Sequence, residues 1–480
     1  MSGAAVPEFD LAVVGSGGGA FAAAIRATNL GKRVVMIERG TVGGTCVNTG
    51  CVPSKALLAA ADARHVAVDS GRFPGIRTAA DPVRMPELIE GKRALVDTMR
   101  AGKYVDLISE YGWELLRGDA AFAGTAVEPF LTVTGEDGTV ETVRAAQYVL
   151  ATGSAPWTPP IDGLHNVDYL TSTTAMNLNE LPATMLVLGG GYVAMEQAQL
   201  FSRLGSTVTM LVRSRLASVE EPEASQALAE IFADEGIRVV QRANVTAVRT
   251  DQATGEVVST ATVGGNTEEF RASRILVATG RRPVTDGLNL AAVGVDVGER
   301  GEVVVNSMLV STNPRIWAAG DVTGDRKFVY VAANHGSLVV ENAFNNAARE
   351  VDYSHLPRVT FTSPALGAVG TTDREANGEG VRCQCRILPL EYVPRALVNR
   401  DTRGFIKIVA ENNTGRILGI TAVAKDAGEI AAAGVYILEA GMTVDQVANM
   451  WSPYLTMAEG IKIACQSYTT DVSRLSCCAV

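Results

Sequence analysis

Three patterns predict an α/β chain in which two Rossmann-like dinucleotide-binding domains are followed by an α+β domain. The first is an apolar strand, a Gly-rich turn, a helix and a second strand within residues 9–38. The second is the same order of elements between residues 185 and 212. The third is a change of character near His355, beyond which 359–361, 404–409 and 417–424 alternate as antiparallel strands do. A chain of 480 residues has the length for several such cores.

The first unit opens with the apolar run Phe9 to Val14 and turns at Gly15-Ser16-Gly17-Gly18-Gly19-Ala20. A helix follows from Ala22 to Leu30, Gly31 ends it, and a strand from Arg33 to Ile37 stops at Glu38. Gly15, Gly17 and Ala20 spell G-x-G-x-x-A, and Glu38 closes the second strand. Such glycines let backbone approach a pyrophosphate at a helix N-terminus, and an acid at that strand end accepts from ribose hydroxyls. The unit predicts a dinucleotide site.

Next comes Gly43-Gly44-Thr45-Cys46-Val47-Asn48-Thr49-Gly50-Cys51-Val52-Pro53-Ser54-Lys55. Two cysteines stand five apart among glycines, and Pro53 precedes the helix-forming run Ser54 to Ala61. Cys51 is therefore expected near a helix N-terminus, where partial positive charge favours a thiolate. The stretch reads as a redox or soft-metal dithiol; two structural cysteines in a turn are the plainer alternative.

Residues 84–112 predict one helix with Leu88, Leu95, Met99, Val105 and Ile108 along its apolar face. Tyr104 lies on it, and core packing is its simplest role. Residues 119–152 read as short strands with polar turns that lead into Thr152-Gly153, and Pro156, Pro159 and Pro160 mark a boundary.

The second unit has a strand Met185 to Leu188, the turn Gly189-Gly190-Gly191-Tyr192, a helix through Glu196 to Leu204, and a strand Thr207 to Val212. Aligned on Gly31 and Gly205, the slot of Glu38 is taken by Val212, and Arg213 and Arg215 follow. Guanidinium beside an apolar slot suits a 2′-phosphate, hence NADP; two solvated arginines are the alternative. Further on, Gly280 follows a buried strand, and Asp321 follows another, where it can reach a ribose or ribityl hydroxyl. Helices are expected at about 426–440 and 443–449.

Composition sets limits. A net charge of −10 without a basic block disfavours nucleic-acid binding. No apolar run reaches the roughly 18 residues that span a bilayer, and the N-terminus has no basic leader before its first strand. Seven cysteines are too sparse for a secreted disulfide framework and fit a reducing cytoplasm. Cys465 reads as core, and Cys383-x-Cys385 as two ordinary cysteines or an accessory thiol pair on a surface loop.

Taken together, G-x-G-x-x-A, GGTCVNTGCVPSK, GGGYVAMEQA, ATGRRP and AAGD resemble the flavoprotein disulfide oxidoreductases over essentially the whole chain. The resemblance implies FAD in residues 1–155 with 285–353, NADPH in 156–284, and a homodimer interface in 354–480. It implies cofactor contacts at Gly15, Gly17, Ala20, Glu38, Gly44, Thr45, Lys55, Thr152, Gly153 and Asp321. It adds Gly189, Gly191, Tyr192, Glu196, Arg213, Arg215 and Gly280. Lys55 and Glu196 are implied to pair near the flavin N5, and Tyr192 to screen the flavin until nicotinamide arrives. Cys51 becomes the flavin-facing thiol and Cys46 the interchange thiol.

Members that reduce disulfides carry a histidine as proton donor near the C-terminus, where this chain has Tyr454 in PYLTMAEG. A phenol near its usual pKa of about 10 is a poor proton shuttle at neutral pH. The chain also ends in LSCCAV, and the vicinal Cys477-Cys478 suits a swinging dithiol. Soft thiolates select soft metals. The ending looks like that of the branch whose substrate is Hg(II) carried on small thiols. That likeness implies delivery by Cys477 and Cys478 to Cys46 and Cys51, with Tyr104 and Tyr454 as phenols near the inner pair. The main alternative is an NADPH-dependent disulfide reductase with a C-terminal dithiol relay.

Overall fold

The computed structural model describes residues 8–474. Cys477 and Cys478 lie outside the described residues. Two units are distinguished by their internal packing. One comprises the chain up to Ala56 with Glu87–Trp157 and Gly280–Val351; the other comprises Leu57–Pro86, Thr158–Thr279 and the chain from Asp352 on.

The first unit is built on a parallel five-stranded sheet in the order Ile316–Ala318, Ala145–Leu150, Phe9–Val14, Val34–Glu38, Glu114–Arg117. Leu11, Ala12 and Val13 are fully buried, because a parallel strand is covered on both faces and its residues need not alternate. Helix Gly18–Asn29 packs on one face against Val329–Asn345. Small residues permit that approach: a Cβ on Gly336 would overlap the Gly19 carbonyl. This holds the Gly-rich turn at the carboxyl ends of the strands, where ligands bind in open α/β sheets.

Three local expectations change. Helix Cys51–Val68 begins two residues before Pro53, which sits in the first turn where its missing N–H costs nothing. A short helix, Gly44–Asn48, precedes it and carries Cys46. The expected helix over 84–112 is three pieces: Met85–Arg100, a π-helical stretch Ala101–Val105, and Asp106–Glu110. Its buried face is Met85, Ile89, Lys92, Val96 and Ile108, while Leu95, Met99 and Val105 are exposed. The expected stripe was displaced because Lys92, whose apolar stem packs inward, hides the true periodicity from hydropathy.

The second unit contains a parallel sheet in the order Arg238–Gln241, Thr207–Val212, Thr184–Leu188, Arg274–Val277. It also contains an antiparallel sheet in the order Arg358–Thr360, Ala365–Gly370, Ile417–Ala424, Phe405–Glu411, Cys383–Pro389. One face of the latter meets helices Ala427–Glu439 and Glu459–Gln466 in a core that includes Ile406, Ile408, Ile420 and Cys465. On its other face the fully buried Lys407 pairs with Glu221, Glu223 and Asp373 at 2.8–3.0 Å. Among the described residues no helix is long and apolar enough to cross a membrane.

Candidate active site

In the first unit two glycine turns face each other. Gly15 has φ +107°, and a Cβ there would lie 2.5 Å from the Ala151 carbonyl oxygen. Gly44 has φ +64°, and a Cβ there would lie 2.6 Å from the Cα of Gly17. Side chains at these points would close a cavity of about 500 Å³. Its walls include Gly15, Gly17, Glu38, Thr45, Thr152 and Gly153, while Ala20 is buried beneath the turn. The Glu38 carboxylate accepts from Ser16 Oγ at 2.5 Å and from the Gly40 N–H at 2.6 Å. Each oxygen keeps a lone pair for a ribose hydroxyl. Thr152 Oγ1 donates to the Val284 carbonyl at 2.6 Å and fixes the far wall. The shape and donor set fit a dinucleotide such as FAD.

The dithiol adjoins this cradle. Cys46 and Cys51 stand as thiols, with Cys46 half-buried and Cys51 exposed at the head of its helix. A hydrogen bond with Cys51, then burial and the Cys51 charge, hold the Cys46 proton far above the ordinary thiol range; the Lys55 ammonium pulls the other way. The pair thus shares a proton, and its second ionisation is the difficult one. Asn48 braces the loop: its Nδ2 donates to the carbonyls of Val42 and Gly44 at 2.9 Å, and its Oδ1 accepts from Arg100.

Tyr104 lies on the π-helical stretch, which places its ring over Gly43 and edge-on to Phe21 at 4.9 Å. Burial, followed by the charges of Cys46 and Cys51, raises its phenol. Tyr104 is therefore half-buried against the core and also a neutral O–H beside the thiols.

Asp321 accepts from Ser154 Oγ at 2.6 Å. Arg281 Nε donates to the same Ser154 hydroxyl at 2.8 Å, and its Nη2 to the Ser154 carbonyl at 2.5 Å. Burial lowers the Arg281 guanidinium, while the charges of Asp321 and Cys51 raise it; it remains a cation at neutral pH. Sequence reasoning passed over Ser154 and Arg281. Their signal was present in ATGS and ATGRRP, where a polar side chain follows a buried strand and a glycine.

In the second unit, helix Tyr192–Leu204 starts from Gly191, where a Cβ would meet nothing within 4 Å. Gly189 has φ +133°, and a Cβ there would lie 2.3 Å from the Ala278 carbonyl oxygen. This turn fits a second dinucleotide; Gly280, with φ +137°, belongs to the first unit. Val212 is buried in the slot equivalent to Glu38. The two arginines separate: Arg213 is exposed, whereas Arg215 turns to the carbonyls of Ser218, Glu220 and Glu221 at 3.0, 2.7 and 3.3 Å. Arg215 thus holds its own loop. Glu196 is buried and accepts from the Phe361 N–H at 2.9 Å. Tyr192 is half-buried and Tyr454 is half-exposed. Glu459, five residues on, is raised by burial and accepts from the Leu455 N–H.

Residues 9–336 match the model of the pyridine nucleotide-disulphide oxidoreductases, and residues 356–465 that family's dimerisation domain. A mercuric reductase of Streptomyces lividans is 57% identical over 472 residues, 98% of each chain. One of Staphylococcus aureus is 42% identical over 98% of this chain and 84% of its own. Among solved structures, the Cu(II) complex of the HOCl-induced flavoprotein disulfide reductase RclA of Escherichia coli superposes with TM-score 0.85 at 26% identity, covering 97% of this chain and all of that one. LpdA of Mycobacterium tuberculosis gives 0.83 at 25% identity, covering 96% of this chain and all of its own.

Proposed function

The chain belongs to the pyridine nucleotide-disulphide oxidoreductase family, and on that premise we propose that it reduces Hg(II) to Hg(0) with electrons from NADPH, a mercury-detoxifying activity. The observation that carries this is the inner dithiol, Cys46 with Cys51, beside a neutral phenol in a chain so similar to mercuric reductases.

FAD is held by the turn of Gly15 and Gly17, by Gly44 and Thr45, by Glu38 at a ribose, and by Asp321. Bound there, it supplies a two-electron relay between NADPH and the thiols. The 2′-phosphate of NADPH is read by Arg213, the exposed cation of the second turn; Arg215 supports that loop from behind.

Hg(II) enters as a bis-thiolate complex. Cys477 and Cys478 exchange with it, forming two Hg–S bonds as two break, and their protons leave on the released thiols. Cys46 and Cys51 then take the metal by the same exchange. Each step replaces one Hg–S bond by another, so none is broken into water. Lys55 and Arg281 favour the thiolates that metal binding requires. Tyr104 and Tyr454 offer uncharged oxygens, weak contacts that guide the metal without trapping it. When Hg(II) takes up two electrons it departs as Hg(0), and both thiolates remain. In a homodimer formed through residues 354–480, Tyr454, Cys477 and Cys478 of one subunit complete the inner site of the other. The activity is assigned to the cytoplasm, where reduced thiols persist.

The test is anaerobic NADPH oxidation with Hg(II) and excess monothiol, with volatile mercury collected. Hg(II)-dependent oxidation with release of Hg(0) is expected. Vigorous disulfide-reductase turnover without any response to Hg(II) would overturn the assignment and favour the relay-type disulfide reductase.

A further inference from the structure

Cys383 and Cys385 have no part in the reaction above. They lie on Cys383–Pro389, the outer strand of the second unit's antiparallel sheet. Alternate residues of a strand share a face, and the two sulfurs stand 3.9 Å apart. Cys383 is opposite Glu411 and Cys385 opposite Val409. The other face of the strand sends Leu388 into the core beside Ile406, Ile408 and Cys465, so the third cysteine among the described residues of this domain is on the far side. Both Cys383 and Cys385 are half-exposed, within reach of a small solute.

We propose that Cys383 and Cys385 form a second soft-metal site that chelates Hg(II), separate from the inner pair. Three observations select this chemistry. First, with metal–sulfur bonds of roughly 2.3 Å, sulfurs 3.9 Å apart subtend about 115° at a shared cation. Rotation about the two Cα–Cβ bonds opens that angle toward the linear geometry Hg(II) takes with two thiolates. Second, among the described residues no set of three His, Cys, Asp or Glu is placed to hold a metal. That leaves a two-sulfur site, which suits a thiophilic two-coordinate cation and not zinc. Third, the local charge is net negative. Lys407, one strand in on the same face, is outnumbered by Glu221, Glu223 and Asp373, and the Asp373 carbonyl lies 4.0 Å from Cys383 Sγ.

Loading is ligand exchange without electron transfer. Two Hg–S bonds to the protein form, two to small thiols break, and the protons of Cys383 and Cys385 leave on the released thiols. Once one sulfur is bound, the second acts at an effective concentration in the millimolar range or above. The site therefore retains Hg(II) against a monothiol.

The experiment uses holoprotein carrying Cys46→Ser, Cys51→Ser, Cys477→Ser and Cys478→Ser, treated with Hg(II) and excess monothiol, gel-filtered and assayed for mercury. One Hg(II) per chain is expected, falling to none when Cys385→Ser is added and unchanged when Cys465→Ala is added. No retained mercury, or retention indifferent to Cys385→Ser, overturns the proposal. The unmodified enzyme gives an independent readout. After Hg(II) and monothiol without NADPH, the peptide holding Cys383 and Cys385 should resist alkylation by iodoacetamide and be alkylated without metal. Equal alkylation in both samples overturns the proposal. Neither measurement involves turnover, so failure here is distinct from failure of the reductase assignment.

Discussion

Arg281→Met removes the cation that joins Asp321 to the dithiol while keeping a side chain of similar length. The loss is two hydrogen bonds from a charged donor to Ser154, at 2.8 and 2.5 Å. Such bonds contribute roughly 1.5–3 kcal/mol each, and half-exposure of the arginine lets water replace part of that, so a net loss of about 2–4 kcal/mol is expected. The first unit has roughly 200 residues, for which 1 kcal/mol moves the midpoint by about 2–4 °C. Its melting should fall by roughly 4–16 °C. A second effect is electrostatic. Asp321 loses its neighbouring positive charge, and Ser154 is left to orient toward Asp321 without its donor. FAD retention through gel filtration should drop along with stability. Arg281→Lys separates the two effects, because it keeps the charge and loses the planar pair of donors. Calorimetry and the flavin spectrum of the eluted protein provide both readouts. Wild-type melting together with full flavin content in Arg281→Met would refute the role given to this arginine.

Four further outcomes are expected. Gly44→Ala puts a Cβ 2.6 Å from the Gly17 Cα at φ +64°; the backbone term is about 1–2 kcal/mol and the two turns must also move apart, so a lower melting temperature with loss of flavin is expected, and full flavin occupancy would count against the cradle. Cys51→Ala removes the hydrogen bond and charge that hold the Cys46 proton, so alkylation of Cys46 should begin at a lower pH than in the wild type; a shift to higher pH would sink the shared-proton picture. Arg213→Glu should move the preference from NADPH toward NADH in steady-state assays, while an unaltered ratio would mean that the 2′-phosphate is read elsewhere. Cys477→Ala with Cys478→Ala should impair turnover chiefly when Hg(II) arrives on bulky or tightly held thiols, and unchanged kinetics with such donors would argue against a relay.

Features governed by backbone sterics were the ones the sequence disclosed. Gly15, Gly44 and Gly189 were legible as turns because only glycine tolerates their φ at such close approach. The strands Thr207–Val212 and Ile417–Ala424 end where their hydropathy ends. Features governed by the target of a long polar side chain were not legible. Arg215 was visible as a cation next to the nucleotide turn, yet three carbonyls of its own loop capture it. The π-helical stretch under Tyr104 has no signature in hydropathy, since it changes hydrogen bonding by one residue without changing composition. Cys383 and Cys385 show the same limit. Spacing of two showed only that they are near each other; the strand that sets both on one face, and the burial of Leu388 that leaves that face open, belong to the sheet.

The distinction between disulfide exchange and soft-metal reduction rests on proton supply. Breaking a disulfide in a substrate releases a thiolate that must be protonated, so an acid with a pKa near the working pH has to stand beside the inner pair. Handling a metal on two sulfurs also releases thiolates, but the incoming protein thiols supply the protons those need, so no separate acid is required; it requires ligands that give up their own protons and neighbours that do not compete for the cation. The proposed function asks the second character of the inner site. Lys55 acts against the firmly held proton of Cys46, Arg281 presents a positive charge to Cys51, and Tyr104, raised by burial and by the thiols, stays neutral across the physiological range. A neutral phenol can touch a soft cation without binding it strongly and cannot act as a proton shuttle at pH 7. On the proposed function, the π-helical turn that sets Tyr104 over Gly43 positions that phenol for the metal. Straightening it would withdraw the phenol from the sulfurs while leaving the fold of the sheet intact, and so would separate metal handling from the stability of the unit that carries it.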